Sequence, residues 1–280
     1  YMSLLKQFSR FLLISLIFVG IGLSDEVFEF GRCNQTGYTG PSQGQCNSAY
    51  SGTNLHEQVI VSGGYQKWIV PITGPYIIDT RGAAGGVQIS NDGNQRRFGA
   101  RMSAEFNLTS GDTLLIVVGQ MGTDIGCGDC DAGGGGGTFV TLGAEYTNSI
   151  PLIIAGGAGG AGSDSHGHHG QWTETVNGNN NAGHGGGGQY GENGGGGFYS
   201  SGSNNSSASR VGKGFRQGAL GGTGWAYGGF GGGSGSENEW GSAGGGYTGG
   251  YAADYNDHGG AGSYISEDAN SIYAQNTGWN

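Results

Sequence analysis

Gly133-Gly-Gly-Gly-Gly137 runs directly into Thr138-Phe-Val-Thr-Leu142, and Pro151-Leu-Ile-Ile-Ala155 runs directly into Gly156-Gly-Ala-Gly-Gly160. Phe139–Leu142 and Leu152–Ala155 are short β-prone apolar runs, and such runs read as strands. Glycine therefore sits between strands here, not beyond the last of them. Further blocks follow at Gly183–Gly197, Gly221–Gly233 and Gly244–Gly250. After them the strand pattern resumes at Ser263–Ser266 and Ser271–Ala274.

Upstream of these blocks the chain reads the same way. Val27–Phe30, Gln58–Val61, Tyr65–Val70, Tyr76–Thr80, Met102–Leu108 and Thr113–Val118 are β-rich runs separated by Gly, Pro, Asn or Asp. Ala104, Phe106 and Leu108 alternate with Ser103, Glu105 and Asn107, so that strand buries one face. Leu114–Val118 is continuously apolar, which predicts burial on both faces. No segment has a convincing helical period. The order of strands, glycine, then strands predicts a mainly β fold. In it a β-sandwich from residues 25–130 and 263–280 carries a glycine-rich insertion at 131–262.

Glycine accounts for 67 of the 280 residues, 20 of them before position 131 and 47 after. Collagen needs glycine at every third position and abundant proline, and there are only four prolines. A flexible linker would not carry five Trp, 14 Tyr and 11 Phe. Glycine buries no apolar surface and is costly to order. Polyproline II offers a folded alternative. Its backbone groups have no internal partners, and glycine lets neighbouring backbones come close enough to bond one another. That reading puts a backbone-bonded bundle in the insertion, with aromatics at its margins.

Lys6 and Arg10 flank the apolar run Phe11–Leu23, which is short for a membrane span of roughly 20 residues. Gly22 and Ser24 precede Asp25 as small residues at a cleavage site, so 1–24 read as a secretory leader. Without them the formal charge moves from −10 to −12, since Lys6 and Arg10 leave and no acid does. Nucleic acid is excluded as a partner, because phosphate binding needs a basic surface. A basic protein would be steered towards this chain. The four cysteines allow three pairings, and the local ones are expected, Cys33–Cys46 and Cys127–Cys130. Asn34, Asn107, Asn204 and Asn205 begin glycosylation patterns.

Several motifs, taken in order, resemble one family. They are Gly40-Pro-Ser-Gln-Gly-Gln-Cys46, Gln66-Lys-Trp-Ile-Val-Pro71, Gly82-Ala-Ala-Gly-Gly86 and Gly111-Asp-Thr-Leu-Leu-Ile-Val-Val-Gly-Gln120. Then come Gly133–Val140, Pro151–Gly157, Gln217–Gly222, Gly228–Gly233, Gly244–Gly250 and Gly262-Ser-Tyr-Ile-Ser266. Their succession over about residues 28–267 resembles the extracellular glycine-rich domain of the anaplastic lymphoma kinase and leukocyte tyrosine kinase receptors. The resemblance implies a tumour-necrosis-factor-like β-sandwich with an inserted polyproline II bundle. It implies a non-catalytic module, outside the cell or secreted, that binds a small basic protein and helps receptors pair. It points to the acids before the last strand as ligand-facing, here Asp254 and Asp257. The family's glycine half carries cysteines, and this chain has none after Cys130. A membrane anchor and kinase would have to lie downstream. The alternative is a secreted glycine-rich structural or matrix protein.

Catalysis finds no motif. Gly212-Lys-Gly214 is followed by Phe215, not by Ser or Thr, so no phosphate-binding loop is present. No cofactor is expected. His166, His168 and His169, with His184 and His258, contain metal-binding residue types, but their setting favours solvated loops and no metal is expected. Cys127-Gly-Asp-Cys130 has redox spacing, yet lacks the βαβ context such a pair needs.

Overall fold

A computed structural model describes residues 26–90, 95–127, 130–162, 166–188, 192–204, 207–236, 241–252 and 258–278. The expected leader and the residues Asn205, Asp254 and Asp257 lie outside them.

The elements are α1 (Gln43–Ala49), β1 (Val59–Ser62), β2 (Tyr65–Ile69), β3 (Gly74–Arg81), β4 (Arg101–Leu108), β5 (Thr113–Val117), β6 (Thr138–Leu142), β7 (Ile150–Ala155), β8 (Tyr264–Ile265) and β9 (Ser271–Asn276). All strand pairs are antiparallel. One sheet has six strands in the order β1-β2-β5-β6-β7-β8, the other three in the order β3-β4-β9. Gly63 and Gly64 join β1 to β2 in a two-residue turn, both with positive φ (58° and 86°), as the tightest hairpins require. β9 returns to pair with β4, as the strand order predicted. The six-stranded sheet also takes in β6 and β7, both within 131–262, because their apolar runs are sheet-forming. The glycine-rich stretches therefore leave the sheet on either side of these two strands.

Two features depart from the sequence reading. Val27–Phe30 is not a strand; Phe28 and Phe30 pack on Trp68 with ring centres 4.8 and 5.8 Å away. Gln43–Ala49 is a helix despite its weak period. A capping box starts it: the Ser42 hydroxyl accepts from the Gln45 N–H at 3.4 Å, and Gln45 Oε1 accepts from the Ser42 N–H at 2.8 Å. The only helical residue it buries is Cys46, so it shows little periodicity.

The six-stranded sheet is covered on both faces. Leu114 and Ile116 share a core with Met102, Ala104 and Phe106 of the three-stranded sheet. Leu115 and Val117 point the other way, into a second core with Phe139, Ile154, Phe198, Phe215 and Phe230. This explains the unbroken apolar run of β5. The aromatics set between the glycine blocks divide: Trp172, Tyr199, Trp225 and Tyr227 are exposed, while three phenylalanines face the sheet. Phe198, Phe215 and Phe230 are fully buried because they are the apolar surface that lets the glycine segments adhere to the sheet.

The glycine segments bond to one another through backbone. Gly133 and Gly136 donate to Thr123 and Gln120; Gly134 and Gly137 donate to Ser234 and Gly231; Gly135 donates to Ala158, all at 2.8–3.1 Å. Donors three residues apart thus reach the same neighbour. Gly157 and Gly160 repeat this towards Gly245 and Ser242, and Ala158 and Ala161 towards Ala83 and Gly86. The backbone groups that a sheet would pair are satisfied in this way.

Tyr65 ties the two parts together. Its ring stacks on Tyr146 at 4.9 Å, and its hydroxyl donates to the Phe215 carbonyl. Burial pushes the Tyr65 phenol up, with Tyr146 adding to the shift, and burial also raises Tyr50. A phenol whose folded pKa lies above its unfolded value of 10.0 contributes stability below that pH and loses it as pH rises beyond. The phenols add no slope below about pH 10, and urea midpoints should fall above it. Tyr65→Phe should shallow that fall. An unchanged slope would mean that Tyr65 is not the group being charged.

Candidate ligand-binding edge

Residues 171–174 lie along 261–263. Gln171 N donates to Ala261 O at 2.8 Å, Ser263 N to Thr173 O at 2.8 Å, and the Ser263 hydroxyl to Gln171 O at 2.6 Å. This clamp sets Trp172 and Glu174 beside β8 and β9. Between them is an open cleft of about 250 Å³ lined by Met102, Trp172, Glu174, Tyr264, Ile272 and Gln275. Trp172 and Ile272 remain 47% and 55% exposed, so both apolar surfaces are open to a partner at the cleft.

Behind the cleft runs an aromatic ladder. Tyr264 stacks on Tyr247 at 4.5 Å, and Tyr247 meets Tyr199 edge-on at 6.4 Å. Burial raises the Tyr247 and Tyr264 phenols, and the nearby Glu174 carboxylate raises them further. They stay neutral hydrogen-bonding groups at ordinary pH. A larger hollow, about 510 Å³, lies beside the Cys33–Cys46 bridge and is lined by Glu29, Arg32, Asn34 and Tyr50. It presents charges of both signs. The cleft at Trp172 presents an acid and aromatics.

Asp254 and Asp257 lie outside the described residues. The residues on either side of them are paired: Ala252 bridges to His258, and Gly259 N donates to Tyr251 O at 3.0 Å. The expected disulfides are both formed, Cys33–Cys46 and Cys127–Cys130. Asn34 and Asn107 are exposed, and Asn204 is half-buried. The histidines are dispersed in role. His169 stacks on Phe98, and His258 is buried with Nε2 3.8 Å from Asp131 Oδ2. Among the described residues no three His, Cys, Asp or Glu side chains are placed to share a metal ion. Sequence reasoning missed Trp172 and Glu174 as a site. Their only local signal was an aromatic and an acid two residues apart.

Among the described residues α1 is the one α-helix, and there is no kinase-like fold. No described helix is long and apolar enough to cross a membrane. No family model matches the chain. Over 98 residues it is 42% identical to the leukocyte tyrosine kinase receptor of Mus musculus. The match takes in 34% of this chain and 11% of that receptor, so the chain spans a small part of its relative. The similarity read from the ordered glycine and strand motifs is thus to the anaplastic lymphoma kinase and leukocyte tyrosine kinase receptor family.

Proposed function

We propose that this chain is a receptor-related extracellular binding module whose ligand is a small basic protein. The observation that carries the proposal is the Trp172–Glu174 cleft in a strongly acidic chain. An arginine or lysine from the ligand fits such a cleft. Its cationic head meets the Glu174 carboxylate and the Trp172 ring face, and its aliphatic stem lies on Ile272. The residues Asp254 and Asp257 extend this acidic character along the chain and steer the encounter. Two disulfides suit an oxidising compartment. The three-residue donor period of the glycine segments supports polyproline II helices, which turn once every three residues. A bundle of this kind is a stiff platform on which two modules could be paired by one ligand.

The test is binding, by biolayer interferometry, of a panel of small basic secreted proteins, with acidic ones as controls, at rising salt. Selective binding of a basic protein that weakens with salt supports the proposal. Binding to none, or to acidic controls alike, overturns it in favour of a structural or matrix protein. For a ligand so found, Trp172→Ala and Glu174→Gln should each weaken binding about tenfold, the size of a partly desolvated cation–π or charge contact. Asp254→Asn with Asp257→Asn should flatten the salt dependence. A ligand that tolerates all four changes does not use this edge.

A further inference from the structure

The outer face of the three-stranded sheet is an exposure problem that the chain must solve. Ile77 on β3 is 64% exposed and Tyr273 on β9 is 56% exposed. Between them on β4 lies Glu105, which pairs directly with Ile77, and two residues further along β4 is Asn107, which pairs with Pro75. β3 and β9 are both edge strands, with no further neighbour among the described residues. Exposed apolar side chains on a small sheet with two open edges invite edge-to-edge association.

The same face carries a modification signal near the end of its middle strand. Asn107-Leu108-Thr109 is a glycosylation pattern, with Asn107 and Thr109 exposed and Leu108 buried in the core. Asn107 Nδ2 makes a single hydrogen bond, to Asn270 Oδ1 at 3.2 Å, which leaves its second hydrogen facing out. Asn270 Nδ2 passes to Glu105 Oε1 at 3.4 Å, and Glu105 Oε2 accepts from the Tyr273 hydroxyl at 3.1 Å. The polar row from Asn107 therefore leads straight to the exposed tyrosine. Asn204 is the contrast. Its Nδ2 donates to Asn193 Oδ1 at 2.6 Å and Ser207 O at 2.7 Å, and Asn193 is fully buried. Both of its amide hydrogens are engaged, and a glycan on Nδ2 would displace the bond to the buried Asn193.

We infer that Asn107 carries an N-linked glycan that lies over Glu105, Ile77 and Tyr273 and keeps this sheet from associating, whereas Asn204 carries none. This rests on the extracellular reading above. Asn107 Nδ2 would attack the anomeric carbon of a lipid-diphosphate-linked oligosaccharide. The N–C bond forms, the bond from that carbon to the diphosphate oxygen breaks, the lipid diphosphate leaves with the electron pair, and the amide gives up one proton. A glycan is bulky and soluble, so it opposes both edge pairing and apolar contact.

The experiment secretes the full chain from cultured animal cells, once with its own residues 1–24 and once behind a heterologous leader. Site occupancy is read by peptide mass mapping before and after enzymatic glycan release. The expected result is glycan at Asn107 and none at Asn204. Asn107→Gln and Thr109→Ala should each remove one glycan and shift a monomer towards larger species in light scattering. Adding Ile77→Ser should restore the monomer. Releasing the glycan from folded wild-type protein should cause the same association, which removes any dependence on how the variants fold. Asn107 unoccupied on protein glycosylated at Asn34 overturns the inference. So does an Asn204 as fully occupied as Asn107, or a deglycosylated protein that stays monomeric. Occupancy of Asn107 only behind the heterologous leader supports the inference and overturns the leader reading of residues 1–24.

Discussion

Gly136→Ala is expected to cost about 3 kcal/mol or more, at the top of the range for overpacked cores. A Cβ at position 136 would land on the carbonyl oxygen of Phe230. That oxygen accepts from Gln120 N at 2.9 Å, while Gly136 N donates to Gln120 O at 2.9 Å. The obstacle is thus hydrogen-bonded backbone, which cannot rotate aside as a side chain would. Phe230 is itself fully buried under the sheet, so displacing its carbonyl disturbs the second core as well. Gly44→Ala is the matched control. Position 44 lies in α1, where an added Cβ meets nothing within 4 Å. There alanine should stabilise by up to about 1 kcal/mol through helix propensity. Thermal unfolding should separate the two, with a fall of roughly 6–12 °C for Gly136→Ala in a domain of this size. Equal melting temperatures would mean that close backbone approach does not hold the lattice.

Removing the Cys33–Cys46 bridge as a double alanine variant should cost about 3–5 kcal/mol, and removing Cys127–Cys130 about 2 kcal/mol or less. The first bridge closes a separation of 13 residues, the second only three. A longer loop loses more conformational entropy on cross-linking in the unfolded chain. Packing widens the gap. Cys33 and Cys46 are 4% and 0% exposed and sit in the main core with Trp68, where the bridge ties the Phe28–Phe30 segment to α1. Cys127 is exposed. Urea denaturation of the two double variants measures the difference. Equal losses would show that neither loop length nor the Trp68 cluster sets the effect.

Much of the fold was legible because its signals are local. Alternation in Ala104–Leu108 identified a one-sided strand, and the unbroken run at Leu114–Val117 identified a two-sided one. Turn residues between them marked the ends. The local disulfides were legible for the same reason. α1 was hidden because its cue is a capping box, Ser42 with Gln45, and not a stripe of apolar residues. The Trp172 cleft was hidden because part of its lining, such as Met102 and Ile272, comes from strands about 70 and 100 residues away in the chain.

The sequence alone determined that this protein is mainly β, that its strands close around glycine-rich segments, and that its surface is acidic. Those properties follow from side-chain period, residue order and charge count, none of which needs a partner. Only the tertiary structure decided what covers the second face of the six-stranded sheet. Phe198, Phe215 and Phe230 do so from positions 80 to 115 residues beyond β5. It alone also decided which glycines are obligatory, since the Cβ excluded at Gly136 is excluded by the Phe230 carbonyl and not by its own neighbours in the chain. A glycine run has no side chains to announce its contacts. Its partners are backbone groups, alike at every position, so only their placement in space tells one from another.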